Sequence, residues 1–179
     1  MNFFKIRFFR KLLLTKKKIT FFDNKNELSV LKKIVSDKAV IGLDTEFDWR
    51  NTYFPVLSLL QISTNKEIFL IDCFKRKDFS LINEILCSKK ILKIIHSARS
   101  DVTVIFSFLG IKTNNVFDTQ IAEKLFSNEI CSYAKIVKKY FDLDLPKSET
   151  RSNWLKRPFT ENQLSYASED VNYLIHIYK

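Results

Sequence analysis

The segment VIGLDTEFDW (40–49) starts as a buried β-strand and ends as something else. Val40, Ile41 and Leu43 are apolar, but Asp44 and Glu46 follow where further apolar residues would be expected. Successive strand residues point to opposite faces, so Asp44 and Glu46 share one side, about 7 Å apart along the strand. Two like charges that close repel, and if they are buried without partners one of them takes up a proton. A divalent cation that accepts both as ligands removes the conflict. A strand that has already ended, leaving both acids solvated, removes it as well. The segment alone leaves both readings open.

Outward from this strand, PVLSLLQIS (55–63) and EIFLID (67–72), joined by TNK, predict an antiparallel hairpin. ITFF (19–22), ILKII (91–95) and NVFD (115–118) predict shorter strands. Helices are predicted for NELSVLKKIVS (26–36, with Leu28, Leu31 and Val35 inward) and near 78–87. Another covers ARSDVTVIFSFLG, capped by Ser97 and closed by Gly110, and another TQIAEKL. The last two lie near 132–140 and from 161 onward, after an irregular stretch at 142–159. A hairpin followed by strand–helix alternation implies an α/β fold, a mixed sheet with helices on its faces.

The 179 residues suffice for one domain with a sizeable core. Only 2 Gly and 3 Pro are present, and 46% of residues are hydrophobic, a globular composition. The three cysteines, Cys73, Cys87 and Cys131, form no CxxC pair, which predicts a reducing, cytoplasmic setting and no structural zinc. The net charge of +10 is concentrated at the start, where residues 1–18 carry seven Lys and Arg and no acid. This predicts a basic N-terminal extension (1–18) ahead of one folded domain (19–179). On a helix, Arg7, Arg10 and Lys11 would form a basic stripe suited to a membrane surface or an acidic partner; a frayed basic extension with no fixed contact is the equal alternative. No apolar run is long enough to span a bilayer.

Two further clusters could carry chemistry. Asp101 would share a helix stripe with Val104, Ile105 and Phe108, which turns it inward at the C-terminal end of a strand, where sites form in open α/β sheets. In TENQLSYASEDVNYLIHIY, Thr160 and Gln163 predict a capping box. Leu164, Ala167, Val171, Leu174, Ile175 and Tyr178 form the core stripe of that helix, with Tyr166 and Asp170 paired on its flank. No Gly-rich phosphate loop is present.

The order and context of these segments resemble the DEDD superfamily of 3′–5′ exonucleases, in the branch with a tyrosine in its third motif, and specifically ribonuclease D. DTEF with TYFPVLSLLQIS resembles the first motif, IIHSARSDVTVIF the second and YASEDVNYL the third. FDTQIA and SETRSNWLKRPFTENQLSYA are also similar. The resemblance implies a ribonuclease H-like mixed β-sheet flanked by helices, with Asp44, Glu46, Asp101 and Asp170 as ligands of two divalent cations, Mg²⁺ or Mn²⁺. It implies that Tyr166 positions and deprotonates the attacking water, and it suggests Thr45, His96, Arg151 and Trp154 as substrate contacts. The implied activity is removal of nucleotides from single-stranded RNA 3′ ends, of tRNA precursors, small RNAs or decay fragments, as 5′-monophosphates. Asn153 and Thr150 depart from the family pattern, where Asp and Gln are common. A DNA exonuclease with the same site and a non-catalytic RNA-binding module are the competing expectations.

Overall fold

The computed structural model describes residues 16–23, 28–33, 40–146 and 148–179. Six strands form one sheet: β1 (Lys18–Phe22), β2 (Val40–Asp48), β3 (Val56–Ser63), β4 (Glu67–Asp72), β5 (Leu92–Ile95) and β6 (Val116–Asp118). Their order across the sheet is β1-β4-β3-β2-β5-β6. β2, β3 and β4 pair antiparallel, while β1 joins β4, β5 joins β2 and β6 joins β5 in parallel. The mixed sheet expected from the hairpin and the later alternation is therefore present.

Among the described residues six α-helices cover it: α1 (Ser80–Cys87), α2 (Arg99–Leu109), α3 (Thr119–Ser127), α4 (Tyr133–Phe141), α5 (Glu161–Asn172) and α6 (Leu174–Tyr178). On one face Leu43, Leu60, Ile62 and Ile71 pack with Ile82, Ile85, Val104 and Ile105. On the other Leu59, Leu70 and Ile94 pack with Ala167, Val171 and Leu174. Gly42 marks how closely the second layer approaches. A Cβ there would stand 2.4 Å from Ser63 Oγ and 3.1 Å from Leu174 Cβ.

The basic extension falls largely outside the described residues, but its end does not. β1 begins at Lys18, and Lys17 is buried with its ammonium donating to the Asn172 carbonyl at 2.5 Å. Of the helix expected at 26–36, residues 28–33 are described. Ser29–Leu31 form a 3₁₀ turn, with Leu28 and Leu31 buried, and Val35 lies outside the described residues. No helix among the described residues is long and apolar enough to cross a membrane.

The last helix differs from expectation. Its start is as read: the Thr160 hydroxyl accepts from Gln163 N and the Gln163 side chain from Thr160 N. It then breaks at Tyr173, because the Tyr133 hydroxyl inserts into its ladder. Tyr133 Oη donates to the Glu169 carbonyl at 3.1 Å and accepts from the Tyr173 amide at 3.1 Å, the two groups that would otherwise bond to each other. Beyond the break the core stripe loses phase. Leu174 and Ile175 stay buried, but Tyr178 is 40% exposed and rests edge-on against Phe117.

Candidate active site

β2 delivers Asp44 and Glu46 as its period dictates, on the face covered by α5, and α5 delivers Asp170 to the same place. One carboxylate oxygen from each of Asp44, Glu46 and Asp170 lies within 4.8 Å of the others, a grouping that fits a metal ion. The pleat is locally irregular here. Glu46 pairs with Leu59 but Phe47 pairs with Leu57, so β3 carries a bulge at Ser58 that turns the end of the strands.

Asp101 is buried in the first turn of α2 and stands beside this group rather than within it. Its carboxylate accepts the Thr45 hydroxyl at 2.6 Å. Thr45, expected to touch substrate, is itself buried, and its hydroxyl is engaged in holding Asp101. The α2 stripe is shorter than the sequence suggests. Asp101, Val104 and Ile105 face inward, whereas Phe108 is 36% exposed and leans edge-on against Phe79.

The electrostatics follow from crowding acids together under protein. The Asp44 carboxyl is raised well above its usual range, by burial first and then by Asp101, Asp170 and Glu46. Glu46 is raised by burial and then by Asp170 and Asp101. Asp170 is pushed up to about 7, chiefly by burial, against the opposing effect of a hydrogen bond from Tyr166. Asp101 is raised by burial, opposed by its hydrogen bonds to Thr45 and Asp44. Asp44, Glu46 and Asp170 are partly buried and Asp101 buried, and without a counter-charge such crowding favours their protonated forms.

Tyr166 lies one turn before Asp170, and its hydroxyl is 3.3 Å from Thr150 Oγ1. Burial and the carboxylates, Asp170 foremost, raise its pKa, so the phenol stays protonated. Its ring packs against Trp154 at 6.2 Å. Trp154, expected to touch substrate, lies in the core. It is 2% exposed and belongs to the core with Phe159, so its ring has no open face. Arg151 is exposed on the same loop. His96 is partly buried, with Nδ1 3.0 Å from Thr119 Oγ1 and its ring against Tyr133.

Two supporting residues were not assigned a role from sequence. Asp118, at the end of β6, accepts from the amides of Ser97, Ala98, Gln120 and Ile121, and so joins the starts of α2 and α3. The amides at the start of α2 are thus met by Asp118 rather than by the expected Ser97 cap, and Ser97 instead adopts φ 60°. An Asp directly before TQIAEKL is a readable N-cap signal.

Arg157 gives no such local signal. Its Nε and one terminal nitrogen both reach the Asp72 carboxylate at 2.7 Å, and it also donates to the Trp154 carbonyl at 2.6 Å and Ser58 Oγ at 3.0 Å. This clamp ties the loop bearing Thr150 and Trp154 to the bulge beside Glu46. Arg157→Met leaves Asp72 buried without its cation, and urea unfolding is expected to show a loss of about 3 kcal/mol. A parent-like midpoint would mean that the clamp does not hold the loop.

Residues 19–179 match the 3′–5′ exonuclease family. Ribonuclease D of Desulfotalea psychrophila is 44% identical over 151 residues, 80% of this chain and 40% of that protein. The crystal structure of Escherichia coli RNase D, described as an exoribonuclease involved in structured RNA processing, superposes with a TM-score of 0.83 at 32% identity, covering 92% of this chain and 44% of that one. The catalytic core of RRP6 from Trypanosoma brucei gives 0.83 at 29% identity over 94% of this chain and 49% of that one. The chain spans about two fifths of the length of the curated relatives it matches. The sheet order is that of the ribonuclease H-like architecture expected from the motifs. With its acids carried by β2, α2 and α5 inside the matched span, the chain belongs to the 3′–5′ exonuclease family.

Proposed function

We propose that the chain is a metal-dependent 3′–5′ exoribonuclease that trims single-stranded RNA 3′ ends, tRNA precursors among them, and releases nucleoside 5′-monophosphates. The observation that carries this reading is the convergence of Asp44, Glu46 and Asp170 within 4.8 Å, with Asp101 and Tyr166 against them. An all-carboxylate donor set suits hard cations such as Mg²⁺ or Mn²⁺, and the protonation forced on these acids when alone is what a cation would reverse. Asp44, Glu46, Asp170 and Asp101 would hold two such ions. When bound, the ions supply Lewis-acid stabilisation of the phosphate oxygens and an acidified water.

The chain's own groups do the positioning. Thr45 fixes the rotamer of Asp101. Tyr166, kept protonated, offers a hydroxyl donor at the edge of the acids, with Thr150 orienting it. Directly after β2, Trp49, Tyr53 and Phe54 are exposed. Unstacked bases of a single strand find such rings attractive. Arg151, exposed beside Thr150, would meet a phosphate.

The test is degradation of matched RNA and DNA oligomers with free or blocked 3′ ends, with and without Mn²⁺. Expected are 5′-monophosphates from the free-ended RNA in the presence of metal. Internal fragments, or cleavage that persists in chelator, would overturn the reading. DNA cut faster than RNA would keep the site and change the substrate.

A further inference from the structure

Gln61 lies at the centre of β3 with no exposed surface, and neither its amide nitrogen nor its oxygen has a hydrogen-bond partner. Among the described residues no other side-chain amide is buried with both ends unmatched. Such groups are rare in folded proteins because each orphaned atom loses its hydrogen bonds to water without replacement.

Its place in the sheet suggests what it serves. Gln61 is directly opposite Asp44 in the antiparallel β2–β3 ladder. Opposite residues project to the same face with Cβ atoms about 4.5–5.5 Å apart. The flanking residues identify that face: Ser63 Oγ donates to the Val171 carbonyl at 2.6 Å, and Leu59 packs with Ala167 and Val171. Gln61 therefore projects under α5, where Asp170 stands beside Asp44. A primary amide offers two N–H donors, and an ionised carboxylate accepts several hydrogen bonds.

We infer that Gln61 is a positioning residue for the metal site, its amide donating to the Asp44 carboxylate, directly or through one buried water, once the acids are ionised around a cation. The inference rests on the metal-binding reading above. Metal-ligating carboxylates are ordinarily held by such outer partners, whose loss weakens metal binding about 10–100-fold.

The consequence is a pair of effects with opposite signs. Gln61→Met keeps side-chain length and removes both orphaned atoms. In chelator, its Tm is expected to rise by about 3–6 °C. In calorimetric titration with Mn²⁺ alone, binding is expected to weaken by about 10–100-fold. A rise in Tm with parent-like Mn²⁺ binding would show that the amide does nothing for the site. A fall in Tm with parent-like binding would show that the amide is bonded elsewhere for structural reasons. Either result overturns the assignment. Gln61→Leu carries the same comparison if the Met variant does not fold. Asp44→Asn is the control. A parent that binds no Mn²⁺ overturns the metal site itself, whereas a parent that binds, with only Asp44→Asn deficient, overturns Gln61 alone.

Discussion

Asp44→Asn is expected to abolish measurable RNA cleavage while making the metal-free protein more stable at neutral pH. The activity loss should reach on the order of 10³-fold, the scale for removing one preorganised electrostatic contact to a reacting phosphate, because a neutral amide replaces a charged oxygen ligand. The stability gain comes from the same crowding. Asp44 and Asp170 titrate higher in the folded protein than the roughly 4 of an unfolded chain, Asp170 at about 7. Between those values the folded state binds more protons than the unfolded state, so stability falls as pH rises through the window. Removing one charge flattens that fall. In chelator the parent and variant should melt alike below about pH 4 and diverge toward pH 7, with the variant higher. Added Mn²⁺ should raise the parent Tm by mass action and leave the variant unmoved. A variant that cleaves RNA at the parent rate would remove Asp44 from the site.

Tyr166→Phe is expected to slow the cleavage step by about 10²–10⁴-fold, the usual contribution of a positioned proton donor or acceptor. Stability, metal affinity and RNA affinity should change little. The ring stays against Trp154, Asp170 remains on its helix, and the contacts surrendered are a 3.3 Å one to Thr150 and the hydrogen bond to Asp170. Single-turnover cleavage with saturating enzyme and metal isolates chemistry from binding. If the tyrosine only packs beside Trp154, phenylalanine is nearly neutral for that rate. A Phe variant retaining most of the rate would leave the carboxylates in place and excuse the phenol from the reaction.

The parts of this architecture that were legible in sequence are those written in local period and punctuation. The β2 alternation placed Asp44 and Glu46 on one side, and they are together. The Thr160–Gln163 box fixed where α5 begins, and from there helical spacing put Tyr166 and Asp170 one turn apart. The parts that were not legible depend on partners far away in the chain. Arg157 and Asp72 are 85 residues apart, and SNWLKRPF has no periodicity that would disclose the burial of Trp154. The expectation that Thr45 touches substrate comes from the resemblance, and strand alternation alone does not show that α2 packs Asp101 onto its hydroxyl. Phe108 and Tyr178 fit their helical stripes on paper. They drifted outward because one sits near a helix end beside Phe79 and the other lies past a break imposed by a different helix.

That break has a kinetic signature. By its own sequence, 161–178 is a single amphipathic helix, and an excised peptide would close the bond between the Tyr173 amide and the Glu169 carbonyl. In the folded protein that amide proton is held instead by the phenol of Tyr133, which belongs to α4. Its exchange with solvent deuterium is therefore governed by the docking of α4, not by fraying of the helix in which it resides. One backbone position thus reports, in a native-state exchange experiment, on the closing of a layer 40 residues away in the chain. Its protection should collapse together with that of α4 while the sheet beneath is still fully protected.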